Sequence, residues 1–337
     1  MVKLASNESP LPPFPAAIEA MSRAIIEANR YPDADCHDLK EALCRRLDVP
    51  RASLILGNGS NELLRVLASA TLRPGDEAVM AIPSFIVYKE VVNLMGATPR
   101  QVPLDNHRHD LSAMARAVNE RTKLVFLCTP NNPTGTAISR REVESFLGDL
   151  PPGVLTVLDE AYSEYVEDPE AVDGLKLYKE GRFLAVFRTF SKIYGLAGCR
   201  IGYAVMEPAL VEALDRVREP FNVNRIAQAG ALASLESTDE LDRRRRLNRE
   251  ERAFLRAGLD GLGVNYVPTE ANFLYIQVPV AEASEQLLSL GIIVRPFGQL
   301  DGRSQVRVTI GTREENELFL SGLRSILAAR AKAHFDN

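Results

Sequence analysis

Along the first two-thirds of the chain, apolar residues fall in short solid runs, and between the runs they recur every third or fourth position. The solid runs are "SLIL", "EAVMAI", "KLVFLC", "VLTVLDEAY" and "FLAVFRTFSK". Their length and enrichment in branched and aromatic residues predict buried strands. The stretches "AAIEAMSRAIIEA", "CHDLKEALCRRLDV", "SNELLRVLASAT" and "SFIVYKEVVNLMG" carry the helical period. Residues 1–15, rich in proline and polar residues, predict an extended arm, and "RYPD" at Arg30–Asp33 predicts a proline turn. Solid strands alternating with amphipathic helices point to an α/β fold around a mainly parallel sheet. The polar turns follow the strands, at the edge where open α/β sheets bind ligands.

Near Leu235 the pattern changes. "STDELDRRRRLNREERAFLRAGLDGLG" predicts one long charged helix. After it come a strand "ANFLYIQV", a helix "AEASEQLLSLG", strands "IIVRPF" and "QVRVTIG", and a helix from "REENELFL". The expected organisation is an N-terminal arm and helix over 1–27, a large unit over 28–238 and a small α/β unit over 239–337. The run Arg243–Arg246 reads as the solvated face of the long helix.

Composition narrows the function. Hydrophobic residues at 46% against 25% charged suit a globular chain with a real core. A net charge of -5 supplies no basic field for nucleic acid. No apolar run is long enough to cross a bilayer, and "MVKLASNESPLPPFP" has no signal-peptide core, so the expectation is a cytoplasmic protein. Cys36, Cys44, Cys128 and Cys199 stand far apart and read as reduced thiols. His107 and His109 in "HRHD" lack a third ligand at usable spacing, so no metal site is expected.

Four segments carry candidate chemistry. In "LGNGSNELL" a glycine-rich turn opens a helix and exposes backbone N–H groups suited to phosphate. Neither a dinucleotide fingerprint nor a Walker loop is completed, and a plain turn capped by Ser60 or Asn61 is the alternative. "TPNNPTG" at Thr129–Gly135 is either a turn or an amide donor presented to a cleft. Asp159 ends an apolar strand, where a carboxylate needs a partner such as a protonated heterocyclic nitrogen, unless it is a helix cap. Lys192 in "FRTFSKIYGLAGCRIGY" follows Thr189 and Ser191 and precedes Arg200, a set of phosphate ligands. A lysine desolvated beside Arg200 has its pKa pushed down, which favours the neutral, nucleophilic amine.

In order and spacing these segments, with "LASNESP", "NRYPD", "EPFNVNRIAQAGALASL", "EANFLYI", "IIVRPFG" and "VRVTIGTREEN", resemble the fold-type I pyridoxal-phosphate aminotransferases. Within them the chain is similar to the histidinol-phosphate aminotransferase group and its aromatic-amino-acid aminotransferase relatives. The resemblance runs nearly end to end. It implies a large domain with a seven-stranded, mainly parallel sheet flanked by helices, plus a smaller α/β C-terminal domain. It implies pyridoxal 5′-phosphate as cofactor and a homodimer with a shared active site. Lys192 would bind the cofactor covalently and later move the proton between Cα and the cofactor's C4′ carbon. Asp159 would keep the ring nitrogen protonated, Asn132 and Tyr162 would bond its phenolic oxygen, and Phe85 would stack on the ring. Ser60, Asn61, Ser191 and Arg200 would hold the phosphate, and Tyr31 would reach the cofactor phosphate of a neighbouring subunit. Arg307, with Arg295 beside it and Asn7 from the arm, would bind the substrate.

The implied reaction is histidinol phosphate plus 2-oxoglutarate to imidazole acetol phosphate plus glutamate. Both amino-group donors are small anions, and one guanidinium accepts carboxylate or phosphate. Two departures bear on the substrate. The arm "NESPLPPFP" lacks an aromatic found in some members, and Phe85 stands where many histidinol-phosphate enzymes carry tyrosine and some aromatic aminotransferases carry phenylalanine. The alternatives are an aromatic-amino-acid aminotransferase, a decarboxylase of a phosphorylated amino acid and a non-catalytic cofactor-binding regulator. Against the last stand Lys192, Asp159 and Asn132 together, with no DNA-binding segment.

Overall fold

The computed structural model describes residues 1–300 and 302–335, with side chains to residue 329. The chain opens with a short strand β1 (Val2–Lys3) and helices α1 (Pro15–Ala24) and α2 (His37–Leu47). Then follow β2 (Leu54–Gly57), α3 (Ser60–Thr71), β3 (Glu77–Ile82), α4 (Val87–Leu94), β4 (Thr98–Pro103), α5 (Leu111–Ala117), β5 (Thr122–Cys128) and α6 (Arg140–Asp149). The large unit continues with β6 (Leu155–Asp159), α7 (Gly174–Lys179), β7 (Leu184–Thr189), β8 (Gly202–Val205), α8 (Pro208–Asp215) and α9 (Arg225–Leu235). The long helix α10 (Thr238–Gly261) leads to β9 (Asn265–Val267), β10 (Phe273–Val278), α11 (Ala283–Ser289), β11 (Ile292–Ile293), β12 (Arg295–Leu300), β13 (Arg303–Thr309) and α12 (Arg313–Phe335).

Seven strands form the large sheet in the order β2-β8-β7-β6-β5-β3-β4. From β7 to β4 every pairing is parallel, and β8 runs antiparallel to both its neighbours. The inner strands read as solid apolar runs because both sheet faces are covered. Ile55, Met80, Phe126 and Val157 pack on one face, and Leu56, Val79, Val125 and Leu158 on the other, the period-2 alternation of a strand. Strand β4, "TPRQVP", had no place in the hydrophobic pattern because it is a mostly exposed edge strand with prolines near both ends. Helix α6 starts on a capping box in which Ser139 and Glu142 satisfy each other's backbone N–H.

The C-terminal unit is a four-stranded antiparallel sheet, β12-β13-β10-β9, packed on α10 and α12 through Leu255, Leu259, Phe319 and Leu323. "IIVRPF" is two strands: Ile292–Ile293 leaves this sheet and pairs in parallel with Val2–Lys3 of the arm. The arm therefore belongs to both bodies. Val2 and Leu4 sit in the small core and Phe14 in the large one. Helix α10 is shared in the same way, with Leu241 in the large core and Leu255 in the small. The reading of Arg243–Arg246 as a solvated face is overturned at Arg244, which is 4% exposed. Because α10 is sandwiched between the two bodies, its polar face is buried with partners: Arg252 donates to the Thr269 carbonyl at 2.9 Å, and Glu251 pairs with Arg313 at 2.9 Å.

Candidate active site

A cleft of about 580 Å³ opens at the C-terminal ends of β5, β6 and β7. Strand ends supply Asp159 and the loops behind them supply Asn132, Tyr162 and Lys192, as the switch region of an open α/β sheet does. The arm (Ala5 to Glu8) and the small unit (Arg295, Phe297 and Arg307) also line it.

Lys192 lies in the loop after β7, its Nζ 3.4 Å from the Ser6 carbonyl and 5.6 Å from the centre of the Tyr162 ring. Burial, then the Arg307 charge, then Arg200 push its amine down to about 8, against the opposing pull of Glu8 and Asp159. Sequence reasoning credited Arg200; burial and a guanidinium from the far domain outweigh it. With that pKa about a tenth of the amine is neutral at pH 7 without a base beside it.

Asp159 is 3% exposed at the end of β6. Tyr88 donates to its Oδ2 at 2.7 Å, while Oδ1 is buried with no partner among the described residues. Burial raises its pKa, opposed by the Tyr88 bond, the Ala161 backbone N–H and the Lys192 charge. The helix-cap alternative fails, since the next helical turn is Ser163–Tyr165 with Tyr162 at its cap. A buried carboxylate oxygen with no protein partner costs free energy unless a ligand completes it. A protonated ring nitrogen would give Oδ1 a donor, so the residues suit a pyridine cofactor.

Tyr162 is buried and accepts a bond from Asn7 Nδ2 at 2.9 Å; burial pushes its hydroxyl well above the usual tyrosine range. Asn132 Oδ1 accepts a hydrogen bond from Arg307, so its amide nitrogen remains as the donor. Asn131 is structural: it accepts from Ser84 at 2.8 Å and donates to Thr134 at 2.9 Å. Phe85 lines the cleft, edge-on to Tyr88 at 5.6 Å.

The glycine turn leads into α3 without a side-chain cap among the described residues, because the cap position is Gly59, not Ser60 or Asn61. The N–H groups of Ser60 and Asn61 are thus left for a ligand, while that of Glu62 bonds the Gly59 carbonyl at 3.2 Å. Gly59 has φ +80°, and a Cβ there would lie 2.4 Å from Arg200 Nη2, so the guanidinium rests against the turn. Ser191 is held by Thr189, whose hydroxyl donates to Ser191 Oγ at 2.9 Å. Ser60, Asn61, Ser191 and Arg200 together line one side of the cleft as a cradle for phosphate.

Arg307 on β13 and Arg295 on β12 are directly paired across the ladder. Like charges placed opposite each other destabilise a sheet, and both side chains line the cleft, so the pair is built to meet an anion. Arg307 is 6% exposed, flanked by Phe273 and Phe297, and donates to the Ala5 carbonyl at 2.6 Å; its Nε has no partner among the described residues.

Asn7 was expected to bind substrate. It is 1% exposed with φ +53°, its side chain committed to Tyr162, and its backbone N–H donates to Thr309 at 2.9 Å. Tyr31 lies outside the cleft, 79% exposed and stacked on Phe221 at 4.7 Å. Neither His107 nor His109 belongs to a metal-binding group among the described residues. Sequence reasoning missed Tyr88, whose ring reads as one more apolar position of α4; only the tertiary fold brings its hydroxyl to Asp159.

The family model of the class I and II aminotransferases matches residues 1–323. A histidinol-phosphate aminotransferase of Moorella thermoacetica is 46% identical over 331 residues, covering 97% of this chain and 86% of its own. An aromatic amino acid aminotransferase of Thermobifida fusca is 45% identical over 328 residues, covering 96% and 89%. The solved structure of histidinol-phosphate aminotransferase from Sinorhizobium meliloti in complex with pyridoxal-5′-phosphate is similar at a TM-score of 0.92 and 28% identity, covering 97% of this chain and 91% of that one.

Proposed function

The chain belongs to the class I and II aminotransferases, and on that premise we propose that it moves the amino group of histidinol phosphate to 2-oxoglutarate, giving imidazole acetol phosphate and glutamate, with pyridoxal 5′-phosphate as cofactor. The observation that carries this reading is one cleft holding a low-pKa amine at Lys192, a half-satisfied buried carboxylate at Asp159 and the adjacent guanidiniums Arg295 and Arg307.

When bound, the cofactor supplies an electron-withdrawing ring that acidifies the substrate's Cα–H bond. Lys192 Nζ would hold the group and would be the base that takes the Cα proton and returns it. Asp159 Oδ1 would accept a hydrogen bond from the protonated ring nitrogen and keep it protonated. Asn132 and Tyr162 orient the ring through its phenolic oxygen, and Phe85 covers one face. Ser60, Asn61, Ser191 and Arg200 anchor the phosphate. Arg307, with Arg295, grips the carboxylate of glutamate in one half-reaction and the phosphate of histidinol phosphate in the other. The enzyme works as a cytoplasmic homodimer in which Tyr31 reaches the partner's cofactor phosphate. In keeping with a non-membrane setting, no helix among the described residues is long and apolar enough to cross a bilayer.

A second reading, an aromatic-amino-acid aminotransferase, is favoured by Phe85 and by the Thermobifida fusca relative. A substrate panel decides between them. The expected result is a kcat/KM for histidinol phosphate above those for phenylalanine and tyrosine, with glutamate formed; the reverse order installs the second reading. Release of carbon dioxide without glutamate overturns both.

A further inference from the structure

The one arginine of the Arg243–Arg246 run that turns inward makes contacts the transamination chemistry does not use. Arg244 Nη1 donates to the carbonyl of Ile193, the residue after Lys192, at 3.1 Å, and Nη2 donates to the Pro12 carbonyl of the arm at 2.6 Å. Its Nε donates to Glu240 at 2.8 Å, and its guanidinium lies 4.4 Å from the centre of the Phe14 ring. The three segments meet without slack. Gly195 has φ +70°, and a Cβ there would stand 2.9 Å from the Pro12 carbonyl and 3.1 Å from Arg244 Nη1.

The other end of the arm is tied to the small unit. β1 pairs with β11, and Thr309 donates its N–H to the Leu4 carbonyl at 2.8 Å. Between the two anchors, the Ala5 carbonyl receives Arg307, the Ser6 carbonyl faces Lys192 Nζ, and Asn7 donates to Tyr162. The arm is thus a strap across the cleft. It is fastened to the small unit at residues 2–4 and to the lysine loop, through one guanidinium, at residues 12–14.

We propose that Arg244 is a positioning residue for the reaction: its fork fixes the backbone beside Lys192 and the near end of the strap in a single register, so that the reactive amine and the arm's contacts to Arg307 and Tyr162 stay aligned. This rests on the assignment of Lys192 as the reactive amine. Lysine would not serve, since an ammonium is a point donor and the four acceptors, Ser9 Oγ at 3.3 Å included, are met by a planar fork.

The test is hydrogen exchange and steady-state kinetics on holoenzyme carrying Arg244→Gln, Arg244→Lys or Arg243→Gln. Arg243 is the matched control: it bonds the same Glu240 but is exposed and touches neither the arm nor the lysine loop. In Arg244→Gln, amides of residues 4–14 and 190–199 should exchange about tenfold faster or more, as losing a charged hydrogen bond allows, while β10 and β13 keep their protection. kcat should fall about 10- to 100-fold, the scale of a small misplacement of reacting groups. Arg244→Lys should lie between, and Arg243→Gln should match wild type. Unchanged exchange at 190–199, an equal effect from Arg243→Gln, or full restoration by lysine overturns the proposal. The exchange readout is independent of the substrate, so its failure is distinct from failure of the transaminase reading, which would appear as an inactive wild type.

Discussion

The hydroxyl of Tyr88 donates to Asp159 Oδ2 at 2.7 Å, and Oδ1 of the same carboxylate is buried with no hydrogen-bond partner among the described residues. One oxygen is anchored and the other is presented. Burial raises the pKa of this carboxyl and the tyrosine bond restrains the rise. Tyr88→Phe should therefore weaken pyridoxal phosphate binding about tenfold, the cost of one hydrogen bond to a charged group. Protonation of Asp159 would begin at higher pH in the variant, so on acidification it should lose the cofactor before wild type does. Fluorescence titration of cofactor-free protein across pH measures both effects; an unchanged affinity refutes the role given to Tyr88.

Lys192 makes a stability prediction with a definite sign. Its amine is lowered from 10.5 to about 8 in the fold. Below about 8 both folded and unfolded chains carry the ammonium, and the fold bears the full cost of burying it. Between 8 and 10.5 the unfolded chain binds more protons, so stability rises with pH. Lys192→Met has no such term. Cofactor-free Lys192→Met should thus be more stable than cofactor-free wild type at neutral pH, by at most about 3.5 kcal/mol at about 1.4 kcal/mol per pKa unit. The gap should close as pH climbs. Thermal melts at several pH values check it, and a gap that widens with pH contradicts it.

Arg307→Ala should raise KM about 10- to 100-fold for glutamate and for histidinol phosphate alike, as loss of a charge-assisted anion contact does. Arg295→Ala should do the same more weakly, because that side chain is the exposed member of the pair. Kinetics on both half-reactions tests the shared anion site: if only one substrate suffers, the two anions are bound by different groups.

The parts of this molecule that could be read from sequence are those whose cause is local. Parallel strands buried on both faces announce themselves as solid apolar runs, and Ser60, Asn61, Ser191 and Lys192 sit in turns whose composition already suits phosphate and covalent chemistry. What stayed hidden depends on partners distant in the chain. β4 is an exposed edge, and "IIVRPF" breaks because its first half pairs with the N-terminal strand. The amine of Lys192 owes more to Arg307 than to Arg200, a ranking that requires the small unit folded over the cleft. Arg244 looked like its exposed neighbours because nothing in a run of four arginines marks which one faces inward.

Tyr31 supplies the test of the shared site. It is 79% exposed on its own subunit, its ring stacked on Phe221 and its backbone carbonyl bonded by Arg225 at 3.2 Å, although tyrosine's apolar ring ordinarily favours burial. If it completes a partner's phosphate site, Tyr31→Ala and Lys192→Ala damage the two halves of one composite site. Each homodimer should then be nearly inactive. In a mixed dimer, one site collects both lesions and the other has neither. Random reassortment makes half the dimers mixed, each with one sound site, so mixing equal amounts should recover roughly a quarter of wild-type activity for a two-fold dimer. The assay is turnover before and after the two variants are unfolded and refolded together, with refolded homodimers as controls. Recovery near zero would place Tyr31 in the same subunit's site or in none.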